Sequence, residues 1–155
     1  MWQIVQAETD THIAEARAMF LEYGEWLGFS LCFQGFDQEL AGLPGRYAPP
    51  SGRLLLATDG ANVAGVIALR GLDDATCEMK RLYARPAWRG QGLGRRLAEN
   101  LLAEARAIGY RRLVLDTLPG RMDEAIALYR RLGFTEIAPY YDNPVEGAIF
   151  MEIRL

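Results

Sequence analysis

Between positions 11 and 27, apolar side chains fall at Ile13, Ala16, Phe20, Tyr23 and Leu27. Steps of three and four residues place them on one face of a helix, and Thr11 is positioned to cap it. A short turn of helix is expected over 38–43. Beyond it the pattern shifts to short apolar blocks. Arg53–Thr58 and 63–69 read as strands, and Asp59, Gly60, Ala61 and Asn62 between them have tight-turn chemistry, so the two should pair as a hairpin. Asp73 and Asp74 mark another turn, Thr76–Ala84 reads as the next strand, and Pro86 stops it. Helical spacing returns with Leu93, Leu97, Leu101, Leu102, Ala105 and Ile108, closed by Gly109. A short buried strand over 113–115 follows. Ala125, Leu128, Tyr129 and Leu132 then mark a second helix, closed by Gly133, and 134–138 and 148–153 read as final strands.

This order predicts a mixed α/β architecture. The strand-helix-strand unit over 76–116 should be a right-handed parallel crossover. The hairpin before it and the strand pair after it should be antiparallel. Helices then cover both faces of one sheet, and the 155 residues are expected to form a single domain, 1–155.

Composition narrows the functions. Half the residues are hydrophobic and 24% are charged, the balance of a globular chain. No apolar run approaches the ~20 residues of a membrane span, and residues 1–10 lack the pattern of a secretion signal, so no membrane and a cytoplasmic address are expected. A net charge of −3 gives no general attraction to nucleic acid. The paired arginines at 95–96, 111–112 and 130–131 lack interleaved aromatics and read as solvated helix ends. Lys80 is the only lysine and His12, expected to face solvent, the only histidine. Cys32 and Cys77 alone cannot build a disulfide framework or a four-ligand zinc site, so no metal is expected.

Arg89, Gly90, Gln91, Gly92, Leu93 and Gly94 lie between a strand and a helix. Bare amides at a helix N-terminus and the helix dipole favour an anion there, and Arg89, Arg95 and Arg96 add charge. A dinucleotide fingerprint would need glycine where Arg95 stands, and a Walker loop would need a lysine that this loop lacks. By itself the loop fits either an anion site or a plain turn before a helix.

The stretch 78–94 (EMKRLYARPAWRGQGLG) resembles the acetyl-CoA-binding core of the GNAT N-acetyltransferase family. Arg89, Gly92 and Gly94 match that family's Arg/Gln-x-x-Gly-x-Gly/Ala signature. The block 127–134 (ALYRRLGF) resembles the family's later helix and the turn into its next strand. The resemblance implies the GNAT fold, a mixed and mostly antiparallel sheet with one splayed parallel pair. It implies that the pantetheine arm of acetyl-CoA lies in that splay against Leu82, Tyr83 and Ala84. The pyrophosphate would rest on the amides from Arg89 through Gly90, Gln91, Gly92, Leu93 and Gly94 to Arg95. The implied activity is acetyl transfer to a primary amine of a small molecule or peptide by direct attack in a ternary complex. The competing reading is an acyl-CoA-binding module without turnover. Homodimers are frequent in the family.

Such a transfer needs an amine stripped of its proton, donors for the oxyanion and a proton for the thiolate. Glu78 stands where several family members carry a catalytic glutamate. Alternation puts it on one face with Lys80 and Leu82, and the competing reading pairs it with Lys80 or Arg81 at the surface. Tyr129 matches a tyrosine common in the family and is the candidate acid, bordering the cofactor; the competing reading is a core aromatic on the stripe of Ala125 and Leu132. The oxyanion donor would be a backbone amide near Leu82 or Tyr83. Cys77 points away from Glu78 and reads as a small buried residue. For the acceptor, Tyr140, Tyr141 and Asp142 in a proline-bounded loop could form a wall, with Trp26, Phe29, Phe33 and Phe36 as an apolar side or simply as the burial of the first helix.

Overall fold

The computed structural model describes residues 1–28, 31 and 35–155. Phe29, Cys32 and Phe33, considered above, lie outside the described residues. The first element is one that the hydrophobic pattern does not disclose: a strand, β1 (Gln3–Gln6), antiparallel to β2 (Arg53–Thr58). It is four residues long and shares its apolar side chains between both faces of the sheet, so it carries no clear period. Helix α1 (Asp10–Leu27) follows. Its cap is Thr9, not the expected Thr11: Thr9 has extended backbone and its side chain accepts from the His12 amide at 3.1 Å, whereas Thr11 is already helical. His12 is half-buried rather than solvent-facing. Helix α2 (Phe36–Ala41) starts two residues before the expected turn.

The hairpin of β2 and β3 (Val63–Gly71) forms as the turn chemistry requires. Asp59 accepts from the Ala61 and Asn62 amides at 2.9 and 2.6 Å, which closes the turn. Strand β4 (Thr76–Ala84) pairs antiparallel with β3 and parallel with β5 (Arg112–Thr117). Helix α3 (Leu93–Ile108) connects that parallel pair, and helix α4 (Asp123–Leu132) leads to β6 (Thr135–Ile137) and β7 (Ile149–Arg154). Both helices end on left-handed glycines, Gly109 and Gly133. The sheet order is β1-β2-β3-β4-β5-β7-β6, with β4 and β5 its parallel pair.

Each sheet face has its own core. On one side Leu97, Leu101 and Leu102 of α3 and Tyr129 of α4 pack on Cys77, Met79, Leu113 and Leu115. On the other, Met19, Phe20 and Tyr23 of α1 pack on Leu54, Leu56, Val66 and Tyr83. Each leucine so enclosed contributes roughly 1.5–3 kcal/mol.

Two irregularities open the sheet in the middle. The β4–β5 ladder stops after Glu78↔Val114, so β4 runs on from Met79 with that edge unpaired among the described residues. On the other edge, Ala68 faces Lys80 but Val66 faces Tyr83: β4 spends three residues where β3 spends two. The extra residue is a bulge at Arg81, whose φ is 63°. The bulge corrects one expectation. Strict alternation would place Leu82 on the face of Glu78 and Lys80, but Leu82 packs with the α3 side and Tyr83 with the α1 side.

Candidate active site

A cavity of about 790 Å³ passes through the gap where β4 and β5 part. Its β4 wall runs from Met79 to Ala84, and its β5 wall is Leu115, Asp116 and Thr117. At one end it reaches Gly90, Gly92, Leu93, Gly94 and Arg95; at the other it meets Tyr23, Trp26, Leu27 and Leu31.

At the glycine end, Gly92 is the N-cap of α3, left-handed at φ 74° and with no side-chain cap. The first-turn amides of α3 therefore have no side-chain acceptor at the cap, and no acidic residue stands in that turn. A Cβ built on Gly90 or Gly92 would meet nothing within 4 Å, so the loop presents bare backbone to open space. These residues fit a diphosphate. Gln91 is placed differently from its neighbours: its side chain accepts from Trp2 Nε1 at 3.1 Å, and it is absent from the cavity wall. Arg89 donates to the Ala84 carbonyl at 2.8 Å and lies over the rings of Tyr83 and Trp26. The Arg89 side chain thus spans from the glycine loop to Trp26 of α1.

Glu78 is 1% exposed and stands behind the wall rather than on it. Its cross-strand neighbour Arg70 donates to Oε1 at 2.7 Å, and the Tyr140 hydroxyl donates to Oε2 at 2.6 Å. Its ion pair is thus with Arg70 rather than with Lys80 or Arg81. Burial pushes the carboxyl pKa up, but Lys80, Arg70 and the Tyr140 hydrogen bond outweigh it, so the net shift is downward and Glu78 stays ionised. Arg81 is engaged by Glu39, through Nε at 2.9 Å and Nη2 at 3.0 Å.

Tyr129 is on the wall, packed against Phe134 with ring centres 5.4 Å apart. Burial, then the charges of Tyr23 and Asp116, raise its pKa, so the phenol keeps its proton at neutral pH. Cys77 is enclosed in the core, and burial raises its thiol to about 12, far from a nucleophile's range.

In the loop after β6, Tyr140 and Tyr141 turn their hydroxyls inward, to Glu78 and Asp116. Neither they nor the exposed Asp142 reach the cavity; Asn143 and Val145 do. Phe36 stacks under the Arg81 guanidinium, off the cavity wall. Asp116 and Lys80 line the cavity although neither was given a site role from the sequence. Asp116 accepts from Tyr141 and, at 2.8 Å, from Asn143 Nδ2. Its signal was a charge ending the apolar run Leu113, Val114 and Leu115. The signal for Lys80 was the chain's one lysine inside a strand that is buried almost throughout. Among the described residues no group of three or more His, Cys, Asp or Glu side chains is placed to hold a metal ion. No helix among them is long and apolar enough to cross a membrane.

A parted parallel strand pair, a bare helix N-terminus at one end of the gap and a buried phenol beside it define a protein that handles an elongated, phosphate-bearing ligand. Comparison with known proteins is more specific. Residues 9–134 match the family model described as Acetyltransferase (GNAT) family. An uncharacterized N-acetyltransferase of Schizosaccharomyces pombe is 38% identical over 136 residues, covering 86% of this chain and 83% of its own. The crystal structure of an acetyltransferase from Streptococcus agalactiae superposes with a TM-score of 0.81 at 24% identity, over 99% of this chain and 98% of the other. A GNAT family acetyltransferase from Elizabethkingia anophelis with acetyl-CoA bound superposes with a TM-score of 0.72 at 22% identity, over 99% and 98%. The chain belongs to the GNAT acetyltransferase family, and it is an N-acetyltransferase.

Proposed function

We propose that this enzyme moves the acetyl group of acetyl-CoA to a primary amine by direct attack in a ternary complex. The observation that carries the reading is the unbroken cavity from the bare amides at Gly92 through the β4–β5 gap to α1. It offers one ligand the glycine end and leaves a second the α1 end, with the unpaired edge of β4 between them. The acetyl-CoA held by the Elizabethkingia protein of the same fold supports the choice of donor.

In this reading the pyrophosphate lies on the amides of residues 89–95, and the pantetheine arm follows Leu82, Tyr83 and Ala84. An amide near Leu82 or Tyr83 donates to the oxyanion. The amine nitrogen attacks the thioester carbonyl; the C–N bond forms and the C–S bond breaks. Glu78 stands behind the wall, so it takes the amine's proton through a water. Tyr129 gives its proton to the departing thiolate. Cys77, buried and protonated, is left out of the path, which is why attack is direct and no acyl-cysteine is invoked.

The test is initial velocity with both substrates varied, read as free-thiol release. Intersecting double-reciprocal lines are expected. Parallel lines would replace the ternary complex with a two-stage transfer, and tight acetyl-CoA binding without thiol release from any amine would reduce the protein to a carrier.

A further inference from the structure

Lys80 is the anomaly of the cavity. Its side chain is 6% exposed and it lies on the cavity wall. Among the described residues its ammonium makes no hydrogen bond and no ion pair, whereas each charged group whose field reaches it is engaged elsewhere. Arg70 holds Glu78, whose other oxygen takes the Tyr140 hydroxyl; Arg81 is held by Glu39; Asp116 is held by Tyr141 and Asn143. Burial lowers the Lys80 pKa to about 8, so at neutral pH the ammonium is still mostly charged. The Glu78 carboxylate on the same face supports that charge from a distance, but a buried ammonium with no direct acceptor is costly unless a ligand brings one.

The phosphates of the donor are the wrong anion. Lys80 shares the α1 side of the sheet with Glu78, whereas the glycine loop begins only after Ala84, four residues or ~13 Å further along the strand. The anion therefore belongs to the other ligand. The α1 end of the cavity carries the apolar side chains of Trp26, Leu27 and Leu31 beside the Tyr23 phenol and the Arg121 guanidinium, and Arg121 is spent on the Trp26 and Leu27 carbonyls.

Resting on the acetyl-transfer reading above, we propose that the acceptor is an amine of the amino-acid class, and that Lys80 binds its carboxylate while an apolar side chain lies against Trp26 and Leu31. Lys80 is then a specificity-determining residue, acting on the acceptor and not on the donor.

The experiment compares amino acids with apolar side chains against their decarboxylated amines, such as phenylalanine against phenethylamine and leucine against isopentylamine, by thiol release. The wild-type enzyme is expected to favour the amino acids at least tenfold in kcat/KM. In Lys80→Met that ratio should collapse at least tenfold, with the loss in acceptor KM, while the Kd for acetyl-CoA holds. Lys80→Arg should recover part of the preference, as a retained cation would. A wild-type preference for the decarboxylated amines, no amino acid accepted, or equal loss on both members of each pair in Lys80→Met would overturn the inference. The wild-type comparison decides even if the variant fails to fold. Failure of acetyl-CoA to bind the wild-type protein would instead overturn the acetyl-transfer reading beneath it.

Discussion

At the scale of single residues, the site is a set of charges that satisfy one another in layers. Buried Glu78 pairs with half-buried Arg70, Tyr140 completes the carboxylate, and Arg81 is matched by Glu39. Breaking such a pair leaves an uncompensated charge, so substitutions at Glu78 confound folding with chemistry. Tyr129 is the cleaner probe. Its ring packs on Phe134, and a phenylalanine keeps that contact. If the phenol supplies the thiolate's proton, Tyr129→Phe should leave the Kd for acetyl-CoA within about twofold and lower kcat by about a hundredfold, the lower end of what acid catalysis contributes. Calorimetric binding and thiol release on the same preparation separate the two. Unchanged kcat would remove Tyr129 from proton transfer and leave it as part of the wall.

At the scale of elements, donor binding in the proposed reading is decided at the start of α3. Gly92 has left-handed backbone and open space beyond its α-carbon, so a side chain there finds room but a strained φ. Gly92→Glu also sets a carboxylate among the amides that would hold a diphosphate. Loss of detectable acetyl-CoA binding is expected. Gly60→Glu is the control: its glycine has φ 95° in the β2–β3 turn and nothing within 4 Å, so it introduces strain and charge of the same kind away from the cavity. That variant should bind acetyl-CoA like the wild type, and equal loss in both would mean that strain, not charge at the loop, is responsible. The elements that frame this loop were legible because their signals are local. Leucines at helical spacing and a terminal glycine identify α3, and alternation identifies most of β4. What escaped was non-local or irregular. Strand β1 is defined by pairing with β2, fifty residues away, and the bulge at Arg81 exists only relative to β3. One extra residue there moves Leu82 to the other face, which no count of alternating positions reveals.

At the scale of the whole molecule, the two cores hold a sheet whose central pair, β4 and β5, is joined at one end and parted beyond it. Cavity, phenol and glycine loop come from β4, α4 and α3, so donor binding should brace all three. The residues proposed to hold the donor were legible together, because Arg89, Gly92 and Gly94 stand in one short motif. Of the acceptor wall that the sequence suggests, Trp26 lines the cavity and Phe36, Tyr140, Tyr141 and Asp142 do not, because that side is assembled from α1, β4, β5 and the loop after β6. Lys80 and Asp116 acquire meaning only once their neighbours are known. A ligand bound only by the folded state at a hundred times its Kd stabilises by ~2.7 kcal/mol. For a domain of this size that corresponds to a rise in Tm of about 5–10 °C. Acetyl-CoA should produce that rise in the wild type and none in Gly92→Glu. NAD and ATP also carry diphosphates, but they lack a pantetheine arm to lie along the open edge of β4, and their shifts should stay below a third of it. Equal shifts from all three would mean that the phosphates alone are recognised, and the gap between β4 and β5 would lose its role in selecting the donor.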